Sequence, residues 1–135
     1  MHGAVALAEH QTEGRGRLGR VWLDEPGVGL TFSVVLHPPP PVAAWPALTL
    51  VAARAVAAAI GAGAAIKEPN DVLVDGRKVA GILAEAAEHV VLGIGVNVNA
   101  APWPGSGVVG GDRLELLVEI LERLEAGYDS WLATR

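Results

Sequence analysis

Apolar residues fall in short runs bounded by glycine, proline and charged residues, a pattern typical of β-strands joined by tight turns. The clearest run, at 28–37, is rich in β-branched residues and ends at the prolines 38–41, because proline cannot continue a strand ladder. Two more runs flank Asp75-Gly76, a dipeptide that favours a hairpin. The pattern predicts strands at 3–10, 28–37, 71–74, 78–85 and 89–98.

Two other segments have the character of helices. Residues 43–60 are alanine-rich, apolar on all sides and followed by Gly61, which predicts a core helix. Four leucines recur at helical spacing from Leu114 onward, after an N-cap candidate at Asp112. The proline- and glycine-rich segment 101–111 is predicted to be a mobile loop. Strands joined by short turns, with few helices, predict an α+β fold with a mixed, mostly antiparallel sheet and flanking helices.

The chain has 135 residues, a net charge of −5 and 51% apolar residues, which suits one domain with a sizeable core. The acidic balance argues against a general nucleic-acid binder, and the absence of cysteine excludes disulfides and thiolate chemistry. The alanine-rich run 47–65 contains Arg54 and glycines, so we expect a buried helix there and no membrane span. No stretch resembles a signal peptide, which makes the protein cytoplasmic by expectation.

Positive charge is concentrated in Gly-Arg-Gly-Arg-Leu-Gly-Arg at 14–20. Arginine offers a fork of donors for phosphate or carboxylate oxygens, and glycine allows close approach, so we expect a small anionic ligand. The glycine spacing also fits a dinucleotide fold or a protein kinase. The segment after it is a poor helix, however, and a kinase needs a longer chain. A solvated basic turn is the alternative interpretation.

Two further segments place polar residues at strand ends. Asn70 and Asp71 follow Pro69, which disfavours helix before it, and they either cap the turn or offer oxygen ligands near a phosphate and its magnesium ion. Lys78 follows the hairpin turn and is either solvated or directed toward the arginine-rich loop. Gly81 would then leave room for a ligand against the sheet.

The last segment, Gly93-Ile-Gly95-Val-Asn97, puts glycines into an otherwise β-branched strand. Glycine weakens a strand, so it commonly marks the close approach of a ligand or of another backbone. Asn97 either forms a turn at the strand end or reads the edge of a base.

The order and spacing of these segments closely resemble the catalytic domain of biotin–protein ligases from about residue 3 to the end. The resemblance rests on Glu-His-Gln-Thr-Glu-Gly-Arg-Gly-Arg-Leu-Gly-Arg-Val-Trp, Lys-Glu-Pro-Asn-Asp-Val-Leu-Val, Gly-Arg-Lys-Val-Ala-Gly-Ile-Leu-Ala-Glu and Gly-Ile-Gly-Val-Asn-Val-Asn. Enzymes of that family condense biotin with ATP to biotinyl-5′-AMP and pyrophosphate, and then transfer biotin to a lysine of a carrier domain such as that of acetyl-CoA carboxylase. The resemblance implies a fold of the class II aminoacyl-tRNA synthetase/biotin ligase-like type, shared with lipoate ligases. It also implies ATP and Mg2+ as cofactors, biotin as substrate and a biotin carboxyl carrier domain as partner.

The resemblance also implies a role for individual residues. Lys78 would neutralise charge between the biotin carboxylate and the α-phosphate, and Arg17 would lie with Arg15 along the acyl-adenylate; Lys78 and Arg17 are the implied catalytic residues. Trp22 would close over adenine, and Asn97 would meet the adenine edge. Fixed cations should supply much of the catalysis, because two anions must approach each other. The implied binding positions are Gln11, Gly14, Arg15, Gly16, Arg17, Trp22, Asn70, Asp71, Lys78, Gly93 and Asn97.

The resemblance implies that the other binding positions contact either biotin or the triphosphate. Gln11 would touch biotin, and Gly14 and Gly93 would let biotin pack against backbone. Asn70 and Asp71 would serve the triphosphate and Mg2+, with Asp71 as the metal ligand.

The chain departs from the family pattern at three points. Glu68 stands where the family motif has tryptophan, and a carboxylate facing an anionic site should weaken nucleotide binding. The Asp-Ser-Thr-Asn segment that holds biotin has no counterpart here. We also expect neither a C-terminal β-barrel nor an N-terminal DNA-binding domain, so no repressor function. We interpret residues 1–135 as one catalytic domain. The alternatives are a non-catalytic homologue that binds biotin, its adenylate or the carrier, and a lipoate-type ligase. A homodimer formed through a sheet edge is left open.

Overall fold

The structure is a computed structural model that describes residues 2–8, 29–101 and 104–135. Positions 9 and 10 of the first predicted strand lie outside this part of the chain. Six of the site residues predicted from the sequence also lie outside it: Gln11, Gly14, Arg15, Gly16, Arg17 and Trp22.

The described residues form one six-stranded sheet in which every neighbouring pair of strands is antiparallel. The strands are β1 (Val5–Ala8), β2 (Gly29–Leu36), β3 (Ala64–Lys67), β4 (Asp71–Val74), β5 (Arg77–Ala86) and β6 (Val90–Asn97). Their order across the sheet is β1-β2-β6-β5-β4-β3, so β6 and β5 are central. The predicted α+β class with a mostly antiparallel sheet is confirmed.

Two helices cover one face of this sheet. After a short 3-10 helix at Val42–Ala44, α1 (Ala47–Ile60) packs on β3, β4 and β5, whereas α2 (Arg113–Ala133) packs beside α1 and reaches β2. Alternate residues of β2, β5 and β6 point into this core, as the two-residue period of a strand requires, except at one irregularity in β5. The core residues of these strands include Leu30, Phe32, Val34, Leu36, Ile82, Val90, Leu92, Ile94 and Val96.

The segment Val42–Ile60 is long and apolar enough, by length and composition alone, to cross a membrane. In this fold α1 instead packs against the sheet and α2, and Leu48, Ala52 and Val56 have no exposed surface. This packing agrees with the buried helix expected from the sequence.

Local sequence rules account for two of the connections. Asp75 and Gly76 both have positive φ, at 52° and 76°, which is the geometry of a type I′ hairpin turn. The side chain of Asp112 caps α2 by accepting a hydrogen bond of 2.9 Å from the Glu115 backbone N–H. Both features match the sequence prediction.

Two features of the fold were not predicted. Strand β3 was not predicted, because alanine is a poor strand former and the segment is only Ala-Ala-Ile-Lys; it is a strand through its pairing with β4, with Lys67 opposite Asp71. Leu114, the first of the evenly spaced leucines, is 66% exposed. The buried stripe of α2 begins one turn later and consists of Leu117, Ile120, Leu124 and Tyr128.

The predicted mobile loop is tied to the sheet in its described part. The Gly107 N–H donates to the Lys78 carbonyl at 2.9 Å, and the Val109 N–H donates to the Asn97 carbonyl at 2.9 Å. Proline and glycine content correctly predicts irregular backbone, but it carries no information about these long-range hydrogen bonds.

Three histidines meet at one end of the sheet. The Nδ1 atom of His2 accepts a hydrogen bond of 2.9 Å from the backbone N–H of His37. The rings of His37 and His89 are stacked with centroids 5.3 Å apart, and the ring of His2 lies 5.2 Å from that of Tyr128. Partial desolvation lowers the pKa of His37 below its usual value, and the neighbouring His89 and His2 lower it further.

This cluster predicts a pH-dependent loss of stability. Because the folded-state pKa of His37 lies below the unfolded value of about 6.5, the unfolded chain takes up the proton first as the pH falls. The free energy of unfolding should therefore decrease below about pH 6.5, and the decrease should be smaller in His37→Asn. Urea denaturation between about pH 5 and 8, followed by circular dichroism, measures this difference. Above pH 7 the two proteins should differ by a constant amount, and an equal acid-induced loss in both would contradict the prediction.

Candidate active site

The sheet face opposite the helices carries glycine at its centre. Gly81 pairs with Gly95, and Gly95 pairs on its other side with Thr31. Gly93 lies two residues before Gly95 and pairs with Ser33. Directly paired residues, and residues two apart in one strand, share a face of the sheet. The three glycines, Gly81, Gly93 and Gly95, therefore form a patch without side chains of its own, bordered by Leu83 opposite Gly93, which we call the glycine face.

The fold itself does not require glycine at position 93. A Cβ atom built there would meet the Leu83 carbonyl oxygen at 3.5 Å, which is an ordinary van der Waals distance, and the φ angle is not in the left-handed region. Neither crowding nor backbone geometry among the described residues requires this glycine, which is consistent with the close approach of a ligand or of another backbone segment.

A β-bulge turns Lys78 toward the glycine face. The register of β4 and β5 shifts between Val72 and Leu73, so that Val72 pairs with Ala80 whereas Leu73 pairs with Lys78. Val79 is the extra residue of the bulge and is fully buried. In an uninterrupted strand, Lys78 would share the core face with Ala80, because residues two apart point the same way. The bulge reverses that direction.

Lys78 and Asp71 form an ion pair at the border of the glycine face. Lys78 Nζ lies 3.1 Å from Asp71 Oδ1. Asp71 precedes Leu73 by two residues, so it is the diagonal neighbour of Lys78 on the same face, and it pairs directly with Gly81. The backbone register therefore brings the ammonium and carboxylate together next to the glycines.

The exposure of the pair indicates what it contributes. The side chains of Lys78 and Asp71 are 32% and 22% exposed, and a pair that solvent reaches contributes at most about 1 kcal/mol to stability. Its larger effect is on orientation, because a free lysine side chain has about 2 kcal/mol of rotamer entropy. A bond to Asp71 narrows the positions that this ammonium samples.

Asn70 and Glu68 lie at the start of β4. The main-chain carbonyl of Asn70 accepts a hydrogen bond of 2.9 Å from the Ile82 N–H, which extends the ladder between β4 and β5 by one step. Asn70 is half-buried, whereas Glu68 is exposed on the preceding turn. Backbone pairing thus fixes Asn70 beside Asp71, while the unusual carboxylate of Glu68 remains at the surface.

Asn97 places a buried amide at the end of β6. The residue is only 4% exposed, and its Nδ2 atom has no hydrogen-bond partner within the described ranges. Strand alternation puts the side chain on the same face as Gly95 and Gly93. A buried donor without an acceptor is costly, so this amide is a candidate donor to a ligand.

The structure describes five of the predicted site residues and gathers four of them on one face of the sheet. Lys78 and Asp71 are in contact, and Gly93 and Asn97 share the face of the glycines. Asn70 is the chain neighbour of Asp71, and its main chain pairs with Ile82. A cation, a carboxylate, a flat backbone surface and a buried amide donor together suit an anionic ligand that also has a flat, weakly polar part.

Sequence reasoning missed two polar residues of this face. Thr31, which is 7% exposed, lies opposite Gly95, and Ser33 lies opposite Gly93. Both are ordinary strand residues in the sequence. Only the register between β2 and β6 reveals that their side chains border the glycine face, so the short pattern around each residue carries no signal.

The chain resembles the solved structure of biotin protein ligase from Aquifex aeolicus in complex with biotin and ATP, with a TM-score of 0.82 and 32% identity over 98% of this chain and 63% of that one. The sequence model of the biotin/lipoate A/B protein ligase family matches residues 2–97. The chain belongs to that family.

Two curated relatives are similar in sequence. The biotin--[acetyl-CoA-carboxylase] ligase of Mycobacterium tuberculosis is 42% identical over 96% of this chain and 55% of its own length. The bifunctional ligase/repressor BirA of Bacillus subtilis is 43% identical over 74% of this chain and 34% of its own length. The chain therefore spans between about a third and just over half of the length of these relatives.

The unpaired amide predicts an unusual stability effect. Replacing Asn97 by leucine removes a buried donor without an acceptor and keeps a side chain of similar shape. Asn97→Leu should therefore raise the free energy of unfolding of the ligand-free protein by about 1 kcal/mol. Urea denaturation without ligand measures the change, with Asn99→Leu as the control at a neighbouring exposed position. A loss of stability in Asn97→Leu would show that the amide is satisfied in solution.

Proposed function

We propose that this chain is the catalytic domain of a biotin–protein ligase. It joins biotin to ATP to give biotinyl-5′-AMP and pyrophosphate, and it then transfers biotin to a lysine of a carrier domain such as that of acetyl-CoA carboxylase. The observation that carries the proposal is the Lys78–Asp71 pair, 3.1 Å apart, at the border of the glycine face in a member of this family.

Lys78 addresses the main obstacle of the first step. The biotin carboxylate must attack the α-phosphorus of ATP, and the two reactants are both anions. An ammonium placed between them lowers their repulsion and stabilises the charge that develops on the phosphorus oxygens. Asp71 holds this ammonium in place, and the new carboxylate–phosphorus bond forms as the bond to pyrophosphate breaks.

Biotin and adenine would occupy the surface beside this pair. Biotin would lie against the backbone at Gly93, and the Asn97 amide would donate to the adenine edge. The resemblance adds residues outside the described ranges, and we propose them in the roles that it implies: biotin contact for Gln11 and Gly14, adenylate contact for Arg15, Gly16 and Arg17, and adenine cover for Trp22.

Magnesium suits this site as a companion of ATP. Among the described residues, no group of three or more histidine, aspartate or glutamate side chains is placed to hold a metal ion. Mg2+ is commonly held by one or two carboxylates together with substrate phosphates. Asp71 and the amide oxygen of Asn70 would supply the protein ligands, and the ion would offset charge on the triphosphate.

In the second step the neutral amine of the carrier lysine attacks the carbonyl carbon of the biotinyl adenylate. A C–N bond forms, AMP leaves as the C–O bond to phosphate breaks, and the amine proton passes to solvent. Because ATP, biotin and the carrier of a carboxylase meet in the cytoplasm, we also propose a cytoplasmic location.

A direct assay tests the proposal. The chain is incubated with ATP, Mg2+, biotin and a purified biotin carboxyl carrier domain, and both pyrophosphate release and carrier biotinylation are measured. Both signals are expected, and the absence of both would refute the proposal. Binding of biotin in calorimetry without pyrophosphate release would favour the non-catalytic homologue instead. Preferential use of lipoate in a competition assay would favour a lipoate-type ligase.

Removing the Lys78 ammonium should slow adenylate formation without unfolding the protein. Lys78→Ala is expected to lower the rate of pyrophosphate release by about 100-fold or more, a loss typical of removing one group that stabilises a transition state. Arg54→Ala is the control, since it removes the same charge from an exposed position on α1. It should leave the rate within about twofold of the wild-type value. Equal rates for Lys78→Ala and the wild type would remove Lys78 from the reaction.

A further inference from the structure

The segment 104–111, between β6 and α2, is bonded to the candidate active site at two places. The Gly107 N–H donates to the Lys78 carbonyl at 2.9 Å, at the start of β5. Two residues later, the Val109 N–H donates to the Asn97 carbonyl at 2.9 Å, and the Gly110 N–H donates to the Val98 carbonyl at 2.7 Å. The segment therefore spans the backbone from Lys78 to Asn97.

Gly107 is the point of closest approach in this segment. A Cβ atom built there would lie 3.1 Å from Arg77 Cβ and 3.2 Å from Val79 Cγ1. Both distances are shorter than ordinary carbon–carbon contacts. The two contacted residues flank Lys78 on either side, so a side chain at position 107 would press on the backbone that carries the ammonium.

The strand has little room to move away from such a side chain. Val79, the bulged residue, has no exposed surface and belongs to the core under α1. Ser106, next to Gly107, is also buried, at 5% exposure. Close-packed interiors transmit strain to neighbouring residues when they cannot relax, so the displacement would fall on Arg77 and Lys78 at the exposed end of β5.

We propose that Gly107 is a positioning residue for Lys78. Because it has no side chain, the segment 104–111 can lie directly on β5. Its N–H also bonds the Lys78 carbonyl, and so holds the Lys78 main chain in the position from which the Lys78 side chain reaches Asp71. Gly107 does not touch the substrates; it acts through Lys78. The inference rests on the proposed function for its effect on catalysis, but its effect on the position of Lys78 does not depend on any activity.

Nuclear magnetic resonance measures the position of Lys78 directly. The chain has only two lysines, Lys67 and Lys78, so labelling lysine with 13C at the ε-carbon gives two signals. The variant Lys78→Arg assigns them. Gly107→Ala should shift the Lys78 signal by more than the Lys67 signal, because Lys67, which lies opposite Asp71, is affected only through that residue. A Lys78 signal that stays in place in the folded variant would overturn the proposal.

Catalysis provides the second measurement. Gly107→Ala should lower kcat for pyrophosphate release by about tenfold or more, since a small misplacement of a catalytic group is costly. The KM values for biotin and ATP should change by less than about threefold, because the substrate contacts remain. An unchanged kcat would also overturn the proposal.

The core offers a matched steric control. A Cβ atom built at Gly127 would lie 3.1 Å from Val51 Cγ1, at the contact between α2 and α1. Gly127→Ala therefore introduces a contact as tight as that in Gly107→Ala, but away from the site. It should leave kcat and the Lys78 signal unchanged. An equal loss of kcat in both variants would mean that packing strain alone is responsible, and would refute a positioning role.

A second variant tests the same contact in case Gly107→Ala does not fold. Val79→Ile extends the side chain that faces Gly107, so it presses on the same contact from the strand. It should likewise shift the Lys78 signal and lower kcat, and it would count against the proposal if it did neither. If the wild-type chain makes no adenylate, the proposed function fails, and the two lysine signals alone then decide whether Gly107 positions Lys78.

Discussion

The two-residue alternation of the central strands is the constraint on which the rest of this molecule depends. In β6, the buried Ile94 lies between Gly93 and Gly95, so a core residue alternates with residues of the glycine face. A shift of pairing by one residue would turn glycines toward the helices and isoleucine toward the ligand surface. The hydrophobic core therefore fixes the register of the candidate active site. The same contacts that stabilise the fold align Gly81 with Gly95.

Regular alternation would not place the Lys78 side chain on the glycine face, and the bulge in β5 is what places it there. Both Ala80 and Lys78 would face the core in an unbroken strand, and a lysine there would need a costly buried charge. The inserted Val79 takes the core position, and Lys78 moves to the side of Asp71. The bulge thus allows β5 to place Val79 in the core and its neighbour Lys78 in the candidate site. Bulges are frequently found next to active sites.

The sequence predicted most of the fold because its signals are local. Asp75-Gly76 requires the positive φ values of a tight hairpin, Asp112 caps its helix, and β-branched runs form strands. Strand β3 escaped prediction because its pairing with β4 determines it and its composition does not. The candidate site was predictable as a set of residue types near strand ends, but the contact of Lys78 with Asp71 depends on a register shift that no short pattern encodes.

The anchoring of segment 104–111 shows why such features escape sequence reasoning. A segment rich in glycine and proline is predicted to be irregular in either case, whether its backbone is mobile or is hydrogen-bonded to a strand. At Gly107 the decisive quantity is the 3.1 Å at which an added Cβ atom would meet Arg77 Cβ, thirty positions earlier in the chain. Two hydrogen bonds then connect the main chains of Lys78 and Asn97 through three consecutive loop residues. One piece of backbone thus holds the main chains of the two residues whose ammonium and amide are expected at the reacting phosphate and at the base, and the ion pair with Asp71 restrains the Lys78 side chain further.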